Sequence, residues 1–185
     1  MRALLLSCCV LAMVPAGALA ADDPMLDRPN WSLEFKGGSF YPELEDWETY
    51  YGQPRTGHYA GSLAYKLVRQ IEAGIEVGYI RDQGKAKAPT SGAPAGRAKH
   101  EFAPVNVFVL LRGIFSENQW VVPYVGGGYT KMLYRQTIDG QSPSRGSVRG
   151  THTRAGLQLL LDEIDPSAAN NMYLDYGVHH TYLFV

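Results

Sequence analysis

Residues 71–79, with the sequence IEAGIEVGY, decide the fold class of this chain. The odd-numbered positions carry isoleucine, alanine, valine and tyrosine, whereas the even-numbered positions carry only glutamate and glycine. Successive side chains of a β-strand point to opposite faces, so this alternation predicts a strand with one apolar face and one polar face. The polar face combines single charges with residues that have no side chain, which suits a narrow polar interior.

Six further stretches of the chain show the same alternation. They are residues 31–41, 58–68, 103–112, 120–135, 152–161 and 173–184. Most exceed the ~5–6 residues of an ordinary strand and match the ~9–11 residues that a tilted strand needs to cross a bilayer. Backbone N–H and C=O groups must all be paired in hydrocarbon, so such strands must close into a barrel. The sequence therefore predicts an all-β, antiparallel transmembrane β-barrel rather than a soluble sandwich.

The composition agrees with a single folded β-domain. Hydrophobic residues make up 45% and charged residues 19% of the 185 residues, which excludes a disordered chain. The chain holds 20 glycines and 12 tyrosines, more than a helical protein would use. Its formal net charge of −1 excludes a general nucleic-acid-binding protein. After the N-terminus, no run of ~20 apolar residues predicts a transmembrane helix.

The N-terminal residues 1–20 have the features of a secretory signal. Arg2 supplies a minimal positive charge, and residues 4–14 are apolar. Ala18 and Ala20 place small residues at the two positions that a signal peptidase tests. Residues 21–185 are therefore the predicted mature domain. Both cysteines lie inside the signal, so we expect an exported domain without a disulfide.

The polar faces of the predicted strands carry a nearly balanced set of charges. The candidates for the interior are Glu34, Lys36, Lys66, Glu72, Glu76, Arg112, Lys131, Arg154 and Asp175, together with His179. The interior of an eight-stranded barrel is just wide enough for side chains to fill it. We therefore expect an ion-pair network that fills the interior. The alternative is a set of separate charges around a narrow water path.

Aromatic residues cluster where the alternating stretches begin or end. They are Trp31, Tyr41, Tyr59, Tyr79, Trp120, Tyr134, Tyr182 and Phe184. Amphipathic rings favour the level of the lipid headgroups, so these positions predict two aromatic girdles. Long connectors mostly alternate with shorter ones, as expected when periplasmic turns are short and external loops are long.

One of the long connectors, residues 81–99, is basic. Its cations are Arg81, Lys85, Lys87, Arg97 and Lys99. On an external rim these side chains would meet the phosphates of lipopolysaccharide, to which arginine can donate two parallel hydrogen bonds. A solvated, flexible loop is the alternative interpretation.

Several features together carry a family resemblance. They are the signal, residues 31–38 (WSLEFKGG), residues 123–129 (PYVGGGY) and the girdle positions. Over residues 30–185 the chain resembles the small outer-membrane β-barrels of Gram-negative bacteria, of the OmpA transmembrane-domain and OmpW type. The resemblance implies eight antiparallel strands, both termini in the periplasm, location in the outer membrane and insertion by the barrel-assembly machinery.

The number of predicted strands departs from this family, because seven are visible and bacterial barrels have an even number. Three explanations stay open. A strand was missed within residues 42–57, the chain stops before an eighth strand, or the fold is not a barrel of this kind. We favour an eight-stranded type whose last strand is missing.

Catalytic chemistry has little support in the sequence. His152, Asp175 and His179 share predicted polar faces, but no His-x-Ser signature is present, and zinc needs three or four well-placed ligands. We expect no catalytic residue, no cofactor and no metal site. The sequence predicts a monomeric structural or surface-interaction barrel that contacts outer-membrane lipids and lipopolysaccharide. The alternatives are a narrow channel for small solutes, a lipid A-modifying enzyme, and a soluble periplasmic barrel that binds an apolar ligand.

Overall fold

A computed structural model describes residues 7–12, 30–42, 55–87, 94–116 and 119–185 of the chain. These residues form eight strands and one helix. The strands are β1 (Ser7–Ala12), β2 (Trp31–Phe40), β3 (Thr56–Lys66), β4 (Ile71–Lys87), β5 (Pro94–Arg112), β6 (Val121–Ile138), β7 (Ser144–Leu160) and β8 (Thr181–Phe184). The helix, α1 (Pro166–Tyr176), lies between β7 and β8.

Strands β2 to β8 form one continuous antiparallel sheet in chain order. Each strand pairs with the next, so that Tyr59 of β3 stands opposite Tyr79 of β4, and Val107 of β5 stands opposite Tyr129 of β6. The prediction of an all-β antiparallel sheet is confirmed. Period-two alternation located β2 to β5 and β7 because each of these strands presents chemically different faces to its two sides.

Strand β1 lies between the first and last strands of this sheet. Val10 stands opposite Phe35 of β2 on one side and opposite Leu183 of β8 on the other. Within the described residues, no ladder joins β2 directly to β8, so the seven-stranded sheet is open without β1. Residues 7–12 fall inside the predicted signal, whose removal stays a prediction.

The connections lie at two ends of the sheet. The helix end carries residues 67–70, residues 113–116 and α1, and the opposite loop end carries the hairpin between β6 and β7. Gly140 allows that hairpin because its φ of 77° falls in the left-handed region. Residues 81–99 were predicted as a loop, and this is wrong for most of them, since β4 extends to Lys87 and β5 begins at Pro94.

The predicted seventh strand, residues 173–184, is wrong in its first part. The side chain of Asp165 accepts a hydrogen bond from the Ala168 N–H, Pro166 occupies the first turn, and Gly177 ends α1 with a φ of 65°. These are helix start and stop signals, and they override a chance alternation of apolar residues. Strand β8 is short, and its inward side chains include Tyr182.

The two faces of the sheet differ in a way that ordinary soluble proteins do not show. Glu34, Glu72 and Arg112 are buried on the inner face, whereas Tyr59 and Phe35 on the outer face are 69% and 60% exposed. The exposed outer residues form an apolar belt. Its members include Phe35, Leu63, Ile75, Val77, Val107, Val109, Leu111, Val125 and Leu157.

Apolar side chains on the inner face form two small clusters. One, at the helix end, contains Val122, Leu160, Tyr182 and Phe184. The other contains Ala64, Phe108 and Leu110. Gly74 makes room for the second cluster, because a Cβ atom at this position would lie 2.7 Å from the Phe108 ring.

Candidate functional site

The inner face carries two linked clusters of buried charges, and the first is centred on Arg112. Its Nη2 lies 2.7 Å from Glu72 Oε2 and 3.2 Å from Glu34 Oε1. Its Nη1 donates to Gln158 Oε1 at 2.8 Å. Arg112 is 2% exposed and each carboxylate 1%. Serine hydroxyls from β2 and β3 donate to further carboxylate oxygens at 2.5 and 3.0 Å. Among the described residues, Arg112 Nε, Gln158 Nε2 and Glu72 Oε2 are buried without a hydrogen-bond partner.

The second cluster is centred on Glu76 and lies nearer the loop end. Glu76 Oε2 is 2.5 Å from Lys36 Nζ and 3.0 Å from Arg154 Nη1. Asn106 Nδ2 donates to Glu76 Oε1 at 2.8 Å. His152 extends the cluster, since its Nε2 lies 3.1 Å from Arg154 Nη2. One carboxylate is therefore shared by two cations and an amide.

Lys36 joins the two clusters into one network. Its Nζ lies 2.9 Å from Glu34 Oε2 as well as 2.5 Å from Glu76 Oε2. The Phe108 ring packs against the cations of the second cluster, with Arg154 Cζ at 4.3 Å and Lys36 Nζ at 5.8 Å from its centroid. Cations over an aromatic face are stabilised by its quadrupole. The network thus contains three carboxylates and three cations, and its charge is balanced.

The network connects strands that do not pair with each other. Glu34 of β2 meets Arg112 of β5, and Glu76 of β4 meets Arg154 of β7. Buried ion pairs add little net stability compared with apolar packing, but removal of one partner leaves an uncompensated charge and is strongly destabilising. The arrangement can therefore hold the inner face rigid and occupy its space.

Most of the charges predicted for the interior come together in this network. Those in contact are Glu34, Lys36, Glu72, Glu76, Arg112 and Arg154. Lys66 is half-buried at a register position opposite Glu72, on the same face of the sheet.

Three predicted interior residues lie elsewhere. Asp175 is exposed on α1, because the helix start and stop signals override the predicted strand. His179 follows α1, and its ring packs edge-to-face on Tyr173 with centroids 4.9 Å apart. Lys131 is exposed on the outer face of β6, because the predicted phase of this strand is wrong. Both faces of β6 are apolar near the helix end, so alternation there gave no unique phase.

The neutral partners of the network were not predicted as site residues. They are Ser32, Ser62, Asn106 and Gln158, with Thr130 beside His152. Four of them fall on faces that the alternation marked as polar or mixed. Their roles depend on which strand positions stand opposite each other, and a single strand's pattern carries no information on register.

The predicted girdle residues divide into two groups. Tyr41, Tyr59, Tyr79 and Trp120 are exposed, and Trp31 is half-buried against Tyr65. The prediction is wrong for Tyr134, Tyr182 and Phe184, which take inward positions. Tyr134 is misassigned because the phase predicted for β6 is wrong. Tyr182 and Phe184 are misassigned because α1 interrupts the alternation that assigned them.

The predicted basic connector is largely a pair of extended strands. Arg81 and Arg97 are exposed, and Lys99 Nζ lies 2.7 Å from Glu101 Oε1. Lys85 and Lys87 belong to β4, but their side chains lie outside the described residues.

Comparisons with family models, with curated proteins and with solved structures find no match to this chain. In the part of the chain that the structure describes, no group of three or more His, Cys, Asp or Glu side chains is arranged to hold a metal ion. No helix among the same residues is long and apolar enough to cross a membrane.

Proposed function

We propose that this chain is an outer-membrane β-barrel protein with a structural or surface-interaction role and a filled interior. The observation that carries the proposal is the inversion of the two faces. Charged side chains are buried on the inner face, and aliphatic and aromatic side chains are exposed on the outer face. A protein that met water on its outer face would be expected to have the opposite arrangement.

The height of the apolar belt supports a lipid environment. On β4 the belt runs from Ile71 to Tyr79, which is nine residues, or about 30 Å of strand at ~3.4 Å per residue. A tilt of about 40° reduces this to about 23 Å, close to the ~25 Å apolar band of outer-membrane barrels. Soluble monomers rarely expose contiguous apolar patches above a few hundred Å², whereas this belt continues across several strands.

A barrel of the eight-stranded type follows from the same reasoning. Unpaired backbone groups at the edges of β2 and β8 would be costly in hydrocarbon, and a strand between them removes both edges. The pairing of β1 with both β2 and β8 supports this part of the proposal. The resemblance to OmpA transmembrane domains and OmpW, insertion by the barrel-assembly machinery and a monomeric state are parts of this proposal.

The filled interior favours a structural or surface-interaction role over a narrow channel. Arg112, the last residue of β5 at the helix end, is buried on the inner face together with Glu34 and Glu72. The apolar cluster around Phe184 and Leu160 lies at the helix end of the same face, with Arg112 Cζ 6.0 Å from the Phe184 ring centroid. Ion-paired and apolar side chains both lie on this face, which favours a filled interior over a water path.

The test is to fold the full chain into detergent micelles and then into planar bilayers. We expect it to require detergent, to change its gel mobility on boiling, and to show no conductance steps. A monodisperse protein in buffer without detergent would overturn the membrane proposal. Reproducible conductance, with an Arg112→Met variant that conducts more, would overturn the filled interior and favour the channel.

A further inference from the structure

Strand β7 has a long free edge on the side away from β6. It pairs with β6 from Ser144 to Leu159, but its backbone bonds to β8 and the following residue involve only residues 157–161. Within the described part of the chain, residues 144–156 have no partner strand on this side. An edge of this length presents a row of unpaired backbone groups to any strand that can approach it.

The pairing of Leu157 shows which backbone groups point to this edge. Leu157 and Val185 exchange both of their N–H···O=C bonds, at 3.0 and 2.9 Å. In an antiparallel pair this exchange recurs at every second residue, so the odd-numbered residues from Arg145 to Ala155 direct their N–H and C=O groups to the free edge. All of them are exposed. Pro123, opposite Leu157 on β6, has no N–H to donate, which agrees with this assignment.

The residues along this edge leave room for an added strand. No proline and no register shift interrupts residues 144–156. Proteins commonly protect an edge with proline, a bulge or charges, and here the protection is limited to charges. Apart from the arginines, the odd-numbered side chains are small, namely Ser147, Thr151, Thr153 and Ala155.

The charges on the edge indicate which kind of strand fits it. Arg145 stands opposite Arg135 and Arg149 stands opposite Lys131, so neither arginine of β7 faces a carboxylate on β6. Among the described residues, no ion pair involves Arg145 or Arg149. The β7 edge of a second copy would bring further arginines here. Acidic side chains four residues apart on an added strand, about 14 Å, would instead face both arginines.

We propose that residues 144–156, here called the β7 edge, are a docking site for an extended acidic segment of another protein, which adds to the sheet as a further strand. Main-chain bonds to the odd-numbered residues would hold the segment, and its carboxylates would pair with Arg145 and Arg149. The added strand would also satisfy the backbone near Thr151, which stands opposite Tyr129 of the apolar belt. This inference specifies the surface interaction of the proposed function and rests on it, and it holds for either orientation of the sheet in a membrane.

The test uses the full chain folded in a non-ionic detergent and three synthetic twelve-residue peptides. The first alternates glutamate with threonine, the second replaces glutamate by lysine, and the third is the acidic peptide with methyl groups on the backbone nitrogens that would face the edge. Fluorescence polarisation measures their binding. We expect the acidic peptide to bind, and each of the others to bind about tenfold more weakly, because one loses the charge pairing and the other the main-chain bonds.

Variants of the β7 edge sharpen the test. R145E/R149E should reverse the preference and bind the lysine peptide, whereas the control R55E/R69E, which reverses two arginines elsewhere, should behave like the wild type. Ser147→Pro removes an N–H that points to the free edge and not to β6, so it should weaken binding of the acidic peptide about tenfold, and Ser147→Ala should not. Bound acidic peptide should slow amide exchange at Ser147, Arg149 and Thr151 but not at Gly150, whose N–H points to β6.

The outcomes separate strand addition from its alternatives. Equal binding of the methylated peptide or of the lysine peptide would overturn the proposal, and so would the absence of any binding, which would leave the arginines as protection of the edge. A wild-type dimer that Ser147→Pro dissociates would assign the edge to a second copy instead. If the wild type changes its mobility on boiling but shows no peptide preference, only this inference fails. A chain that is soluble without detergent would contradict the proposed function, and the peptides would then be tested in buffer.

Discussion

Two regions of the sheet are held together in different ways. Strands β3 to β7 are here called the wall, and the place where β8, β1 and β2 meet is called the seam. In the wall, β6 and β7 pair continuously over residues 121–136 of β6. At the seam, β8 pairs with β7 through three residues and with β1 through four. Buried ion pairs, however, connect β2 across the interior to β5. Long backbone ladders therefore hold the wall, whereas β8 has only short ladders, and β2 combines a ten-residue ladder with β3 with an ion pair across the interior.

Removal of residues 1–20 is the change with the largest expected effect on the seam. Without β1, the described ladder leaves β2 and β8 as free edges. Each unpaired backbone group in hydrocarbon costs several kcal/mol. We expect the full chain to change its gel mobility on boiling, and a chain that begins at Ala21 to lose this change and aggregate.

The same experiment connects the seam to the signal prediction. A chain that begins at Ala21 and still shows the mobility change would mean that β2 and β8 meet without β1, or that a second copy fills the gap. Cross-linking at low protein concentration separates these two results. N-terminal sequencing of the protein from cells then reports whether residues 1–20 are removed.

Arg112→Met tests the ion pairs that hold β2. The change leaves Glu34 and Glu72 buried without their shared cation, so we expect the free energy of unfolding to fall by about 3–5 kcal/mol. Urea unfolding of the detergent-folded chain, followed by tryptophan fluorescence, measures this loss. Arg97→Met is the control, because Arg97 is exposed and its replacement should change stability by no more than about 0.5 kcal/mol. A similar small change for both variants would contradict the role assigned to the network.

Much of the wall was predictable because its chemistry repeats along each strand. On β4, every inward position from Glu72 to Gly78 is glutamate or glycine, and every outward position is apolar or small. The seam was not predictable in this way. Residues 7–12 also read as the apolar part of a signal, and pairing between distant strands leaves no local pattern.

The candidate site was predictable by residue type but not by contact. Alternation placed Glu34 and Arg112 on inner faces, yet their ion pair joins residues 78 positions apart. Whether these two side chains meet depends on strand stagger and curvature, which one strand's sequence does not encode. The failures at Lys131 and Phe184 have local causes, namely a strand that is apolar on both faces and a helix between two strands.

Gly74→Val tests packing inside the wall. A Cβ atom there would come closest to the Ala64 Cβ and would lie 2.7 Å from both the Leu63 carbonyl oxygen and the Phe108 ring, so the larger side chain must displace β3 as well as the ring. We expect a loss of about 1–3 kcal/mol in the free energy of unfolding, as is usual for overpacking. Gly150→Val is the matched control, because a Cβ atom at Gly150 meets nothing within 4 Å. Phe108→Leu in the Gly74→Val background should restore part of the loss, and no restoration would place the strain on Ala64 and the Leu63 carbonyl of β3 instead.

The smallest expected effect distinguishes the roles of Asp162 and Asp165, two aspartates between β7 and β8. Asp162 Oδ1 accepts the Thr181 N–H at 2.9 Å, and Asp162 Oδ2 lies 2.8 Å from His180 Nδ1, so this side chain fixes the first residue of the seam strand. Asp165 caps α1, which has no buried residue. We expect Asp162→Ala to lower the free energy of unfolding by about 1 kcal/mol, the net value of a hydrogen bond.

Hydrogen exchange of the detergent-folded chain distinguishes these two roles. Asp162→Ala should speed exchange of the β8 amides at Tyr182 and Leu183, because the strand then loses its anchor while its ladder with β7 is only three residues long. Asp165→Ala should speed exchange only within α1, since no residue of the helix is fully buried. Faster exchange at β8 in both variants would show that α1 and the seam unfold together. The helix and β8 would then unfold as one unit. In that case α1 would stabilise β8 in addition to the three-residue ladder with β7.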